Sequence, residues 1–354
     1  MNYQRKQTKR LNDLRSNEDI KYNHAITHLA GIIMTFVSHY GLFFLQTFTL
    51  VIAVLVTLAG IIALSSKNKD EGKIKITPLN DLWAKQKKKM LEHTLDKKAL
   101  KLHIKEQKKQ DKKIEITSKP RLFVIDFIGD IKASAVDNLR KEITMILSVA
   151  THDDEILVTL ESGGGTVNSY GLGASQLQRI LSHNIPLTVS VDKIAASGGY
   201  LMACVANKVL AAPFAIIGSI GVVAQMPNFH RLLKKHNIDF ELLTAGEYKR
   251  TLTMFGENTD KAREKFGNEL ENIHHVFKDH ISKHRKQVSM EKVATGEYWL
   301  AKEAFELKLV DKLTTSDEYI NQKIQSHKVL RIEHKTKPSF MAKLLKPAAN
   351  ILNF

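Results

Sequence analysis

The sequence predicts an α/β domain with a largely parallel sheet, set behind one membrane-spanning helix and a Lys-rich helical linker. Three observations carry this. From residue 120 onward, apolar strand-like runs alternate with amphipathic helical ones, the pattern of a parallel sheet with crossover helices. Gly41 to Leu64 is 24 residues without a charge, and its only polar side chains are Gln46, Thr47, Thr49 and Thr57. Between Lys67 and Lys113 there are 16 Lys and no Arg, a large part of the basic excess behind a formal net charge of +16.

Residues 1–40 read as a polar N-terminal segment. No small-residue cleavage site follows a short apolar core, so this is not a secretory signal. Met34 is the first internal Met directly before the apolar run, and natural translation is expected to start there, with residues 1–33 an upstream extension. Residues 41–64 exceed the ~20 apolar residues a span needs, so a transmembrane helix is expected. The Lys-rich stretch after it should stay cytoplasmic by the positive-inside rule. Six basic residues in 1–33 compete for the same side.

Residues 65–119 read as a stalk or linker. Leu79-Asn80-Asp81-Leu82-Trp83 opens a helix after Pro78, and Leu91, Leu95 and Leu102 give it a thin apolar stripe among Lys. Such a helix packs lightly or lies on a membrane surface. Without Arg or interleaved aromatics the run does not suit nucleic-acid reading, and no nucleic-acid partner is expected.

Residues 120–315 form the expected folded domain. Arg121 to Ile131 alternates and is rich in Val, Ile and Phe, hence a strand. Ser134 to Ala150 is a helix with Ser134 as candidate N-cap. Strands are expected at Glu155 to Leu160, Pro186 to Val191, Lys208 to Ala212, Ile216 to Val223 and Phe240 to Thr244. Helices are expected at Asn168 to His183, 197–206, Pro227 to His236 and Asp260 to Arg285. The apolar stretch 199–223 holds Asn207, Lys208 and Pro213 and splits into a helix and two strands, so it reads as buried core rather than a second span. Cys204 is the single cysteine, and its apolar neighbours predict an inert core thiol. Residues 316–354 read as a C-terminal tail.

Three features could carry chemistry. Ser197 follows a strand and opens a helix ahead of Gly198-Gly199, where free amides and the dipole favour developing negative charge. It is either a nucleophile or a plain N-cap. The glycine pair would let a substrate backbone come close. Gly163-Gly164-Gly165 lies between a strand and a helix, and is either an oxyanion-binding turn or an ordinary tight turn. Without a following Gly-Lys-Ser/Thr it is not a phosphate loop. Lys249 follows an expected strand, and is either a base or a surface ion-pairing lysine. A lysine base must be neutral, which asks the ordinary pKa of ~10.4 to fall by ~2–3 units. Burial and a neighbouring cation such as Arg250 both push that way. No G-x-S-x-G elbow surrounds any serine.

The blocks LESGGGTV, GASQLQRILSHNIPLTVSVDKIAASGGYLMACVANKVLAAPFAIIGSIGVVAQMPNF, TAGEYKRTLTMFGEN and ATGEYWLAKEAFELKLVD closely resemble the SohB inner-membrane peptidases of the SppA (signal peptide peptidase) serine protease family. The resemblance covers roughly residues 34–315. It implies a ClpP/crotonase-like fold of repeated β-β-α units and a Ser/Lys dyad, with Ser197 as nucleophile and Lys249 as general base. Gly164, Gly165 and Gly198 become the oxyanion donors, and Ser219 reads as support. It also implies no cofactor and no metal, peptide or membrane-protein substrates, a lipid bilayer as surroundings, and a homo-oligomeric ring. In such a ring neighbouring subunits complete each site, so one chain should show Ser197 and Lys249 apart. The competing readings are a crotonase-like acyl-thioester enzyme and an inactive membrane scaffold.

Overall fold

The computed structural model describes residues 34–36, 38, 40–58, 60, 73–102, 105 and 119–335. The chain divides into two compact units, residues 1–71 with 336–354, and residues 72–335. In the first, α1 (Met34–Leu58) is an apolar helix of 25 residues, long enough to cross a bilayer. Its described side chains are all exposed. Its threonines hand their hydroxyl protons back to the helix: Thr47 donates to the Phe43 carbonyl at 2.7 Å, Thr49 to Leu45 at 2.6 Å and Thr57 to Ala53 at 2.9 Å. These three hydroxyls then need no water in hydrocarbon. Among the described residues the helix is already formed at Met34, ahead of the expected Gly41. Residues 61–64 of the expected span, residues 1–33 and residues 336–354 lie outside the described residues.

The second unit is built on a ten-stranded sheet. In chain order the strands are β1 (Lys73–Pro78), β2 (Arg121–Gly129), β3 (Glu155–Ser162), β4 (Leu187–Val191), β5 (Ile194–Ala196), β6 (Lys208–Ala211), β7 (Ile216–Gly218), β8 (Tyr298–Leu300), β9 (Lys312–Leu313) and β10 (Lys328–Lys335). The helices are α2 (Leu79–Thr94), α3 (Val136–Leu147), α4 (Val167–Ser182), α5 (Gly198–Ala203), α6 (His230–Lys235), α7 (Asp260–His284), α8 (Met290–Val293), α9 (Ala301–Glu306) and α10 (Ser316–Ser326). The main layer runs β1-β10-β2-β3-β4-β6-β9, parallel except for β1 against β10. A short second layer holds β5, β7 and β8, tied to β3 through the Ser162–Ala195 pair. β4-β5 and β6-β7 repeat one plan: the first strand lies in the main layer and the second in the short layer. α5 completes the first of these units. This is the β-β-α architecture expected.

Side-chain alternation decides the layers. Phe123, Ile125 and Phe127 of β2 face a large core with α3 and α4, whereas Leu122 and Val124 face a smaller core with Leu79, Tyr319 and Ile320. A strand buried on both faces reads as one continuous apolar run, which is why β2 and β3 are so apolar. Stretch 199–223 supplies α5, β6 and β7 to the core, whereas Phe214 and Val223 are exposed.

Four readings change. The domain boundaries at 120 and 315 fall inside this unit. β1 and α2 precede residue 120 yet join it, Asn80 donating to the Ile324 and His327 carbonyls at 3.1 and 3.0 Å. α10 and β10 follow 315, and β10 lies between β1 and β2. Ser134 does not cap α3, whose N-cap is Ala135; its amide and hydroxyl instead donate to Asp130 at 2.8 Å each. Residues 240–244 form no strand and are exposed, because no sheet edge lies beside them to satisfy their backbone. The strand expected to reach Val223 stops at Gly218, where φ turns to 109°.

Candidate active site

Ser197 is the N-cap of α5, with φ 52° and ψ −119°. A non-glycine residue at positive φ is strained and persists only where its surroundings hold it. The holding comes from the short layer. Ser197 N–H donates to the Gly218 carbonyl at 2.7 Å, and Ser219, itself at φ 52°, donates to Glu297 at 2.6 Å. Ser197 makes no side-chain cap bond. It lies on a cavity of about 1050 Å³, walled on one side by Gly163, Gly164, Gly165, Gly198 and Ser219, and on the other by His274, Phe277 and His280 of α7.

The glycine turn packs directly against the serine. Gly164 has φ 89°, and a Cβ there would stand 2.7 Å from Gly198 N and 2.8 Å from Ser197 Cβ. Gly165 lies against the Ile131 carbonyl, 2.0 Å from where its Cβ would be. The expected donors are not equivalent. Gly164 N–H already donates to Ser162 Oγ at 3.0 Å. Gly198 N–H is the first amide of α5 and has no intrahelical acceptor. For Gly165 N–H no acceptor is found among the described residues. The Gly198-Gly199 pair also has a different reason than expected. A Cβ on Gly198 would lie 2.5 Å from Tyr170 Cγ, and one on Gly199 2.5 Å from the Ser162 carbonyl. Protein, rather than approaching substrate, occupies that space.

The base of α5 is anchored by charge. Tyr200 donates to the Leu309 carbonyl at 2.9 Å. The Arg285 guanidinium forms a fork with Asp311, both bonds at 2.8 Å, and reaches the Lys308 carbonyl at 3.1 Å. His280 Nε2–H donates to the Leu201 carbonyl at 3.2 Å. Burial, with help from Lys283, outweighs that bond and keeps the His280 pKa below the ordinary range, so its ring is neutral. Cys204 is fully buried, and burial pushes its thiol pKa far up, the inert state its neighbours predict.

Lys249 is elsewhere. It sits exposed in a turn, its N–H donating to the Gly246 carbonyl at 3.2 Å, and it does not line the cavity. Its segment, residues 222–257, is held by internal bonds, Asn228 donating to the Thr253 and Gly256 carbonyls at 2.9 and 3.0 Å and Phe229 N–H to Met254 at 2.7 Å, and by α7, whose Lys261 donates to Glu247 at 3.0 Å. Large apolar side chains point outward from it, Leu243 being 92% exposed and Val223 79%. Within one chain the structure thus gathers Ser197 and the three glycines but not Lys249. Ser162, Tyr170 and His280 were not singled out from the sequence. Tyr170 and His280 sit at helix positions where core packing is the default reading, and Ser162, though next to the glycine run, ends a strand where a structural serine is the default reading.

Comparison with known proteins places these residues in context. A family model described as peptidase family S49 N-terminal matches residues 35–177, and one described as peptidase family S49 matches residues 179–330. A probable protease SohB of Haemophilus influenzae is 44% identical over 319 residues, covering 86% of this chain and 90% of that protein. A probable protease SohB of Buchnera aphidicola subsp. Schlechtendalia chinensis is 48% identical over 303 residues, covering 81% and 99%. One from Buchnera aphidicola subsp. Acyrthosiphon pisum is 56% identical over 217 residues, covering 61% and 65%.

Proposed function

We propose, from the premise that this chain belongs to peptidase family S49, that it is a serine endopeptidase anchored by α1 in the bacterial inner membrane, cutting peptides or membrane-protein fragments with a Ser197/Lys249 dyad. The observation that carries this reading is the strained, uncapped Ser197 at a helix N-terminus, packed against a glycine turn on the wall of a large cavity. Strain of this kind clusters where chemistry needs a side chain held in one place.

Ser197 Oγ attacks the scissile carbonyl as the neutral amine of Lys249 takes its proton. The oxyanion meets the amides of Gly165 and Gly198, with Gly164 shaping the turn that carries the first. Charged Lys249 protonates the leaving amine, and the neutral lysine then deprotonates the water that clears the acyl-enzyme. Each oxyanion donor is worth ~3–4 kcal/mol of barrier. Lys249 lies away from its own chain's cavity, and its segment presents apolar side chains outward. That favours a homo-oligomer in which Lys249 of one subunit serves Ser197 of the next.

The test is hydrolysis of fluorogenic peptides by the detergent-solubilised full chain. Ser197→Ala and Lys249→Met should each lose on the order of 10³-fold or more in kcat, as single members of an interdependent catalytic unit do. Undiminished cleavage by either variant refutes the dyad.

A further inference from the structure

The cavity wall behind the glycine turn contains a hydrogen-bonded chain that the dyad chemistry does not use. Gly164 N–H donates to Ser162 Oγ at 3.0 Å, Ser162 Oγ meets Tyr170 Oη at 2.5 Å, and Tyr170 Oη donates to the Asp130 carbonyl at 2.7 Å. The direction of every proton follows. A carbonyl only accepts, so the single Tyr170 hydroxyl proton goes to Asp130. An amide only donates, so Ser162 oxygen accepts from Gly164. The Ser162 hydroxyl proton must therefore point at the Tyr170 oxygen. Hydrogen bonds aligned this way polarise one another in a buried setting.

Tyr170 is fully buried, and burial raises its pKa above the ordinary tyrosine range, so the hydroxyl stays a donor. Its ring has a second contact, since Gly198 packs against Cγ so closely that a Cβ would sit 2.5 Å away. Gly129 is equally constrained: a Cβ there would fall 2.5 Å from Tyr170 Oη and 2.7 Å from Ser162 Oγ. One side chain of α4 thus touches both halves of the anion-binding wall. The ring abuts the residue after Ser197, and the hydroxyl, through Ser162, holds the Gly164 peptide.

We propose that Tyr170 and Ser162 are positioning residues, which set the Gly163-Gly164-Gly165 turn against the Gly198 amide so that two backbone donors converge where the oxyanion forms. This rests on the reading of Ser197 as nucleophile. The two residues touch neither substrate nor the reacting atoms, and act by fixing peptide planes. Donors must hold their aim within a fraction of an ångström, and misplacement by about 1 Å costs up to ~10²-fold in rate.

The experiment is a double-mutant cycle on the full chain in detergent, with Tyr170→Phe, Ser162→Ala and the pair. Tyr170→Phe keeps the ring against Gly198 and removes only the hydroxyl. Each single variant should lower kcat by roughly 10- to 100-fold at unchanged KM. The double variant should be no worse than the poorer single one, because either change breaks the same chain. A peptide boronate, which mimics the tetrahedral oxyanion, should lose affinity in step with kcat, whereas a plain product peptide should not. Wild-type kcat in Tyr170→Phe, losses that multiply in the pair, or unchanged boronate affinity would overturn the proposal. Ser197→Ala run alongside keeps the two ideas apart. If it retains activity, the nucleophile reading fails; if it is inactive while Tyr170→Phe is normal, only the positioning role fails. Thermal melting of each variant reports whether a loss is one of folding.

Discussion

Replacing Asp154 by Asn should destabilise the folded domain by about 3 kcal/mol at neutral pH, and the larger part of that penalty should be lost in acid. Asp154 sits in the turn before β3, its side chain 3% exposed. One oxygen accepts from Arg121 N–H at 2.8 Å and Nε at 3.0 Å. The other accepts from Arg121 Nη2 at 2.6 Å, Thr151 N–H at 2.8 Å and Thr151 Oγ1 at 3.0 Å. The cluster pins the first residue of β2 to the approach of β3, at the centre of the sheet. Burial alone would raise this carboxyl's pKa, but the Arg121 and Thr151 donors outweigh it and hold the value at about 2, against an ordinary 3.8. At 1.36 kcal/mol for each pH unit, that gap corresponds to about 2.4 kcal/mol. The amide of Asn adds the cost of turning an NH₂ toward donors, about 1 kcal/mol. Because the folded pKa is depressed, the stabilisation is complete above the unfolded value near 4 and is lost as pH falls towards 2. Thermal unfolding of the full chain in detergent, followed by circular dichroism, should show Asp154→Asn melting roughly 5–10 °C lower at pH 7. At pH 2.5, still just above the folded pKa, that difference should shrink to about half. Equal melting at pH 7, or a gap that persists undiminished at pH 2.5, would refute the reasoning.

Other outcomes follow from the same contacts. Gly199→Ala forces a Cβ to 2.5 Å from the Ser162 backbone carbonyl, which cannot swing aside, and should cost ~1–3 kcal/mol on thermal melting together with most of the activity. Arg285→Met strands Asp311 and the Lys308 carbonyl; since Asp311 is 31% exposed and can regain water, the expected loss is ~2–4 kcal/mol, read in the same assay. Burial, aided by His280 and Lys283, holds the His284 pKa at about 4. The unfolded chain then binds the extra proton first, so stability should fall as pH drops from about 6.5 to 4, and His284→Gln should flatten that slope. Mixing inactive Ser197→Ala chains with inactive Lys249→Met chains should restore peptidase activity if the dyad spans subunits; no recovery in verified mixed oligomers would place both residues in one chain.

The parts of the fold legible in the sequence were those buried on both faces. β2 and β3 carry short apolar runs, Leu122 to Ile125 and Ile156 to Val158, and β4 alternates Leu187, Val189 and Val191 with small hydroxyls, patterns that suit buried strands. β1 and β10, KIKITP and KVLRIEHK, carry charges along an exposed or half-covered face. Their pairing joins residues more than two hundred positions apart, so nothing nearby in sequence marks them as sheet. The three-residue β5 is too short for any periodicity to register. In the site, Ser197 stood out because a serine ahead of two glycines opens a helix, and the glycine run stood out by composition. The reason for Gly198 and Gly199 did not, because it lies in the Tyr170 ring and the Ser162 carbonyl, which come from other elements. Likewise, three adjacent glycines look equal as donors, and only the Ser162 hydroxyl distinguishes Gly164 from its neighbours.

The central claim is that Ser197 forms the acyl-enzyme. Treating the full chain with a peptidyl fluorophosphonate and mapping the adduct by peptide mass spectrometry tests it directly. The account predicts one modified peptide, with the phosphonyl group on Ser197, no adduct in Ser197→Ala, and much slower labelling in Lys249→Met. An adduct on another serine that tracks the loss of activity, or full activity after complete modification of Ser197, would contradict it.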